Sequence, residues 1–151
     1  MSTLSRSVLS ALLFAAPLFL APVRAAEPDP KAISITLPDK INWRKSPNAD
    51  TAILQGDPSK PGLYIQLIRW HAGNMSRPHT HNSERYIYVI SGTWWIGTGP
   101  HYDPASTYPV TAGTYVIDRP NEIHYDGAKD ADCVIYLVGI GPTSTTPAEA
   151  K

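Results

Sequence analysis

One cysteine, Cys133, is the single thiol among the 151 residues. A single thiol excludes an intrachain disulfide and a cysteine-based zinc cluster, so any metal must be held by histidine and carboxylates. Charge of one sign is lacking too: 13 Lys+Arg balance 13 Asp+Glu, and without a basic stripe nothing is offered to nucleic acid. Beyond its first residues the chain has no long apolar pattern at helical spacing, which excludes a coiled coil or a large helical bundle. Turn formers are plentiful instead. The 10 Gly and 15 Pro exceed the roughly 12% of average usage, and the length suits one small domain that takes small molecules as partners.

The N-terminus reads as an address. Arg6 precedes an apolar run over residues 8–20, and Val23 and Ala25 sit at the −3 and −1 positions of a cleavage site, so residues 1–25 are expected to be a secretory signal. Pro17 and Pro22 interrupt the run, which falls short of the roughly 20 apolar residues of a spanning helix. The mature protein is therefore expected in the periplasm or secreted, with no membrane attachment after cleavage. Cleavage removes Arg6 and Arg24 and no acid, leaving a mild acidic excess. Cys133 opens the apolar run Cys133-Val134-Ile135-Tyr136-Leu137-Val138 with no His or Lys beside it, the setting of a buried, structural thiol.

After the leader, residues 26–50 read as an N-terminal arm with a strand over 33–37, residues 51–141 as a barrel, and residues 142–151 as a flexible tail. Within the barrel, β-rich runs recur at 63–71, 85–96 with a break at Ser91-Gly92, 114–117, 123–125 and 133–140, separated by turn signals. Short strands at such spacing predict an all-β sandwich or barrel.

Three of the five histidines fall where chemistry would want them. His79 and His81, two apart on an extended segment, place both rings on one face as a chelating pair. His124 follows the Arg119-Pro120-Asn121 turn at the end of another strand. Three imidazoles from two strands suit a divalent first-row transition metal (Fe, Mn, Zn, Ni or Cu) with positions left open.

The segment Gly73-x5-His79-x-His81-x3-Arg85-x6-Gly92 resembles the first cupin motif, and Gly113-x10-His124 resembles the second. The resemblance spans most of the mature chain. It implies a double-stranded β-helix, a jelly-roll-like barrel, with a metal in its mouth and a tendency to pair into a homodimer.

Two departures matter. Arg85 stands where the family usually has a ligating Glu, and a guanidinium cannot ligate. Glu84, one residue early, reaches the metal only if a bulge at Asn82-Ser83 resets the strand parity; otherwise it makes a surface ion pair. In the second motif Asn121 replaces the turn glycine, and Asn tolerates the left-handed conformation. Ala128 replaces a hydrogen-bonding Asn.

Arg85 beside a dication would favour an anionic or enolate-like ligand, unless it pairs with Glu84 or Asp118 and props the strand. Tyr88 and Tyr125 are candidate proton donors, Gln66 and Tyr88 candidate polar groups inside the barrel, and Arg77 either guards the mouth or is a solvated loop charge. His71 and His101 read as solvent-facing turn residues. Trp94 and Trp95 must face opposite ways, one inward.

By resemblance, the function tested first is a metal-dependent enzyme of dioxygenase type, with His79, His81 and His124 as ligands and Arg85 as anion clamp; isomerase or lyase chemistry would use the same ligands. A non-catalytic module binding metal or a small ligand is the second reading, and a structural barrel the third.

Overall fold

The computed structural model describes residues 25–150, so the expected signal, apart from its last residue, lies outside the described residues. The chain divides into a unit that ends at Ile35 and a larger one from Thr36 onward. In the first, the N–H groups of Ala32 and Ile33 close a turn onto the Asp29 carbonyl at 3.0 Å. The strand expected over 33–37 does not form. Pro38 follows at once, cannot donate to a ladder, and starts the 3-10 turn Pro38–Lys40.

The larger unit is two antiparallel sheets. The first is ordered β1 (Ala49–Gln55), β2 (Gly62–Trp70), β10 (Cys133–Gly141), β5 (Arg85–Ser91) and β8 (Tyr115–Asp118). The second is ordered β11 (Thr145–Pro147), β4 (His79–His81), β9 (His124–Ala128), β6 (Thr93–Thr98) and β7 (Tyr108–Thr111), with β3 (Asn74–Met75) also pairing β9. The chain passes from one sheet to the other after β2, β4, β5, β7, β8, β9 and β10, as in a rolled jelly roll. This is the all-β, double-stranded β-helix architecture expected from the sequence.

Period-2 alternation decides what faces inward. Along β5, Arg85, Ile87 and Val89 are buried while Tyr86, Tyr88 and Ile90 face out. Tyr64, Ile87, Val89, Ile135 and Leu137 from the first sheet meet Trp94, Val110 and Ala128 from the second in one core. Each large apolar side chain buried there contributes about 1.5–3 kcal/mol. Cys133 is part of that core.

Two boundaries differ from the sequence reading. β1 crosses the expected arm–barrel junction at 50/51, pairing Ala49 with Trp70 and Asp50 with Arg69. Asp50 hides this strand in the sequence, because a carboxylate is a poor strand former until Lys45, Arg69 and His71 surround it. Within the tail expected to be flexible, residues 142–151, the segment Thr145–Pro147 is instead laid along β4: Thr145 pairs with His81, Thr146 with Thr80 and Pro147 with His79. It has no large apolar group to announce it; backbone bonds and Asn82, which accepts from the Ser144 N–H at 2.8 Å, hold it.

The turn before β9 survives the loss of glycine. Asn121 adopts φ +63° and donates its N–H to the His81 carbonyl at 2.7 Å, tying the two histidine-bearing segments together.

Candidate metal centre

His79 and His124 are direct cross-strand partners on β4 and β9, and His81 is the next inward residue on β4. The three rings cluster, with centroids 4.4 Å apart for His79 and His124, 4.8 Å for His79 and His81, and 5.3 Å for His81 and His124. One nitrogen from each lies within 4.8 Å of the others.

Each ring is oriented through its Nδ1. That of His79 is 2.7 Å from the Arg77 carbonyl, that of His81 3.2 Å from the Ser144 carbonyl and 3.1 Å from the Thr145 hydroxyl, and that of His124 3.2 Å from the Glu122 carbonyl. A carbonyl only accepts, so Nδ1 carries the proton and Nε2 keeps its lone pair. His81 Nε2 is buried with no hydrogen-bond partner. An orphaned imidazole lone pair, in a cluster whose other nitrogens are anchored to carbonyls, fits a metal ligand set.

Electrostatics favour the neutral form of His79 and His81. Burial pushes His79 below the ordinary imidazole value, and burial first, then the Arg85 guanidinium and the neighbouring imidazoles, lower His81 to about 3. Neutral imidazole is the ligating form.

The cluster opens on a cavity of about 420 Å³. Gln66, Ile68 and Trp70 of β2, Ile87 of β5, and Ile135 and Leu137 of β10 form its largely apolar wall. His79, His81, Arg85, Asp126, Ser76 and Arg77 give it polar groups, and Thr145 and Pro147 of β11 close one side. Trp70 Nε1 is a further buried polar atom without a partner, in this case a donor.

The other sequence candidates divide. Arg85 lines the cavity but is held by Asp118, donating from Nε to Oδ2 at 2.7 Å and from Nη2 as well; Nη2 also lies 3.5 Å from His124 Nε2. Glu84 does not join the histidines. No bulge resets its parity, and it accepts from Arg119 Nη1 at 3.1 Å, the surface ion pair foreseen as its alternative. Tyr88 is on the outer face of β5, 45% exposed, opposite Tyr115 and Tyr136, so it is neither an interior group nor a proton donor to the cavity. Tyr125 is 2% exposed but alternates with His124 and Asp126, so its ring leaves by the other face of the sheet. There its hydroxyl donates to the Asp103 carbonyl at 3.0 Å, and a Cβ on Gly97 would run into its ring.

Arg77 stacks over Tyr102 at 3.9 Å and pairs with Glu149 while lining the mouth. His71, expected to face solvent, bonds to Pro47 and Asp50. Trp94 is the inward tryptophan and donates from Nε1 to Asp126 Oδ1 at 3.0 Å; Trp95 lies under Lys129.

Asp126 was missed in the sequence, whereas Asp118 was one of the two partners expected for Arg85 and is the one it takes. Asp126 had a signal, since it is two residues from His124 and shares its face. The choice of Asp118 over Glu84 is made by the β5–β8 register, which brings Asp118 opposite Arg85.

Among solved structures, the polyketide cyclase RemF from Streptomyces resistomycificus superposes with a TM-score of 0.65 at 15% identity, covering 79% of this chain and 87% of that one. An uncharacterized double-stranded β-helix protein from Klebsiella pneumoniae gives 0.59 at 17% identity, covering 77% and 97%. The DMSP lyase DddQ from Ruegeria pomeroyi gives 0.58 at 15% identity, covering 74% and 64%. These likenesses show the fold. No curated protein sequence matches the chain. The sequence profile of the ChrR cupin-like domain matches residues 32–144, from before β1 to the residue ahead of β11, and so takes in all three histidines. The chain belongs to the ChrR cupin-like domain family.

Proposed function

We propose that this cupin is an exported, metal-dependent enzyme acting on a small enolisable or anionic molecule, with dioxygenase-type chemistry as the reaction to test first. The observation that supports it is the convergence of three imidazoles, one with an orphaned buried Nε2, with His79 and His81 lining a 420 Å³ cavity. His79, His81 and His124 would hold a divalent first-row ion, which when bound supplies Lewis acidity and open coordination positions. The protein's own part is binding and orientation. The apolar wall excludes water around a small organic substrate, Gln66 and Trp70 offer hydrogen bonds, and Arg77 offers a positive charge at the mouth. Arg85, with its charge shared by Asp118, adds less positive potential than a free guanidinium would.

Two proteins of similar fold carry the names of a polyketide cyclase and a DMSP lyase. At 15% identity neither activity transfers, yet both are small-molecule enzymes, which favours an enzyme over a carrier. Protein loaded anaerobically with Fe, Mn, Zn, Ni or Cu, desalted and offered enolisable diketones, thiols and carboxylates should keep about one ion per chain and consume oxygen or substrate. His81→Ala should lose both properties while keeping its β-sheet circular dichroism. Metal retention without turnover makes the protein a carrier, and no retention by the wild type removes the metal reading altogether.

A further inference from the structure

The geometry points to Asp126 as a fourth, carboxylate ligand that completes the three-histidine set from β9, replacing from another strand the carboxylate that Arg85 displaces from β5. This rests on the metal reading of the histidine cluster and deepens it. Asp126 is 5% exposed and projects from the same face of β9 as His124, with Oδ2 3.9 Å from His124 Nε2. Two ligand atoms of one ion, each roughly 2.0–2.2 Å from the metal, stand about 2.8–4.4 Å apart depending on the angle between them, a span that includes this distance. Its other oxygen is already committed: Oδ1 accepts from Trp94 Nε1 at 3.0 Å, which fixes the carboxylate plane and leaves Oδ2 toward His124.

Charge balance argues the same way. Arg85 and Asp118 neutralise each other. Among the described residues no Lys or Arg lies within the 4.0 Å ion-pair distance of Asp126, whose one such partner is His124. A buried carboxylate without a cation is costly, and a dication held by three neutral rings is uncompensated; each supplies what the other lacks.

The test uses Co(II) and the whole mature chain. Asp126→Asn keeps the acceptor for Trp94 and removes the charge, and should weaken Co(II) binding by more than about 100-fold, beyond the 10–100-fold typical of a lost supporting partner. Trp94→Phe, which removes only the support, should stay within that smaller range. Asp126→Cys places a thiol at the same point, and its Co(II) form should show a thiolate-to-cobalt charge-transfer band that the wild type, with Cys133 in the core, does not. A loss below about 100-fold in Asp126→Asn with the wild-type cobalt spectrum, or no such band in Asp126→Cys, overturns the assignment while leaving the three-histidine site standing. Failure of the wild type to bind Co(II) overturns both.

Discussion

Arg85 and Asp118 face each other across the β5–β8 pair, and the guanidinium reaches one carboxylate oxygen through both Nε and Nη2. The pair is almost wholly buried and Asp118 also lies 3.3 Å from His124 Nδ1, so it fixes both the strand and a histidine. Asp118→Ala leaves a buried, permanently charged guanidinium without its counter-ion. It should destabilise the protein by about 3–5 kcal/mol, read as a lowered urea midpoint. A midpoint unchanged within error would mean that solvent reaches Arg85.

The C-terminal segment should matter for the metal more than for the fold. Chain ending at Ser144 loses β11, the Thr145 hydroxyl beside His81 Nδ1 and the Glu149 partner of Arg77. Loss of such a supporting shell should weaken metal binding by about 10–100-fold with the thermal transition still cooperative. Equal affinity in the truncated chain would show that Ser144 alone orients His81.

His71 couples stability to pH. The Pro47 carbonyl first, and the Asp50 carboxylate second, raise it above its ordinary value. The proton is thus bound more tightly in the folded chain than in the unfolded one, where the value is about 6.5. The stabilisation is fully present below that pH and is lost as pH rises through the higher folded value. The stability gap between wild type and His71→Phe should therefore shrink from pH 6 toward alkaline pH, at about constant m-value. An NMR midpoint for His71 at or below about 6.5 would contradict this.

Cys133 should be inert. Burial pushes its thiol up to about 12, and the side chain has no exposed surface. A chromogenic disulfide reagent should leave the native protein unlabelled and titrate one thiol per chain in guanidinium. Rapid labelling of native protein would place Cys133 on a mobile edge.

Much of this was legible in the residues themselves. The His79/His81 spacing, the register of two motifs and the runs that became β2, β5, β6, β8 and β10 are local signals, written at period 2. Asn121 announced its left-handed turn because few residues tolerate that conformation. Tyr88 and Tyr125 misled because an aromatic near a motif says nothing about its side of the sheet, whereas counting parity from Arg85 and from His124 places both outside the cavity.

The sequence by itself determined the class of the barrel and its metal-type donors, since these depend on residue type and on spacing within one strand. Only the tertiary structure decided which carboxylates stand near them. Asp118 and the β11 edge come from strand pairings between segments far apart in the chain, and a register across space leaves no periodic trace along it. For the same reason Arg85 could not be read as clamp or prop until its partner across the sheet was known.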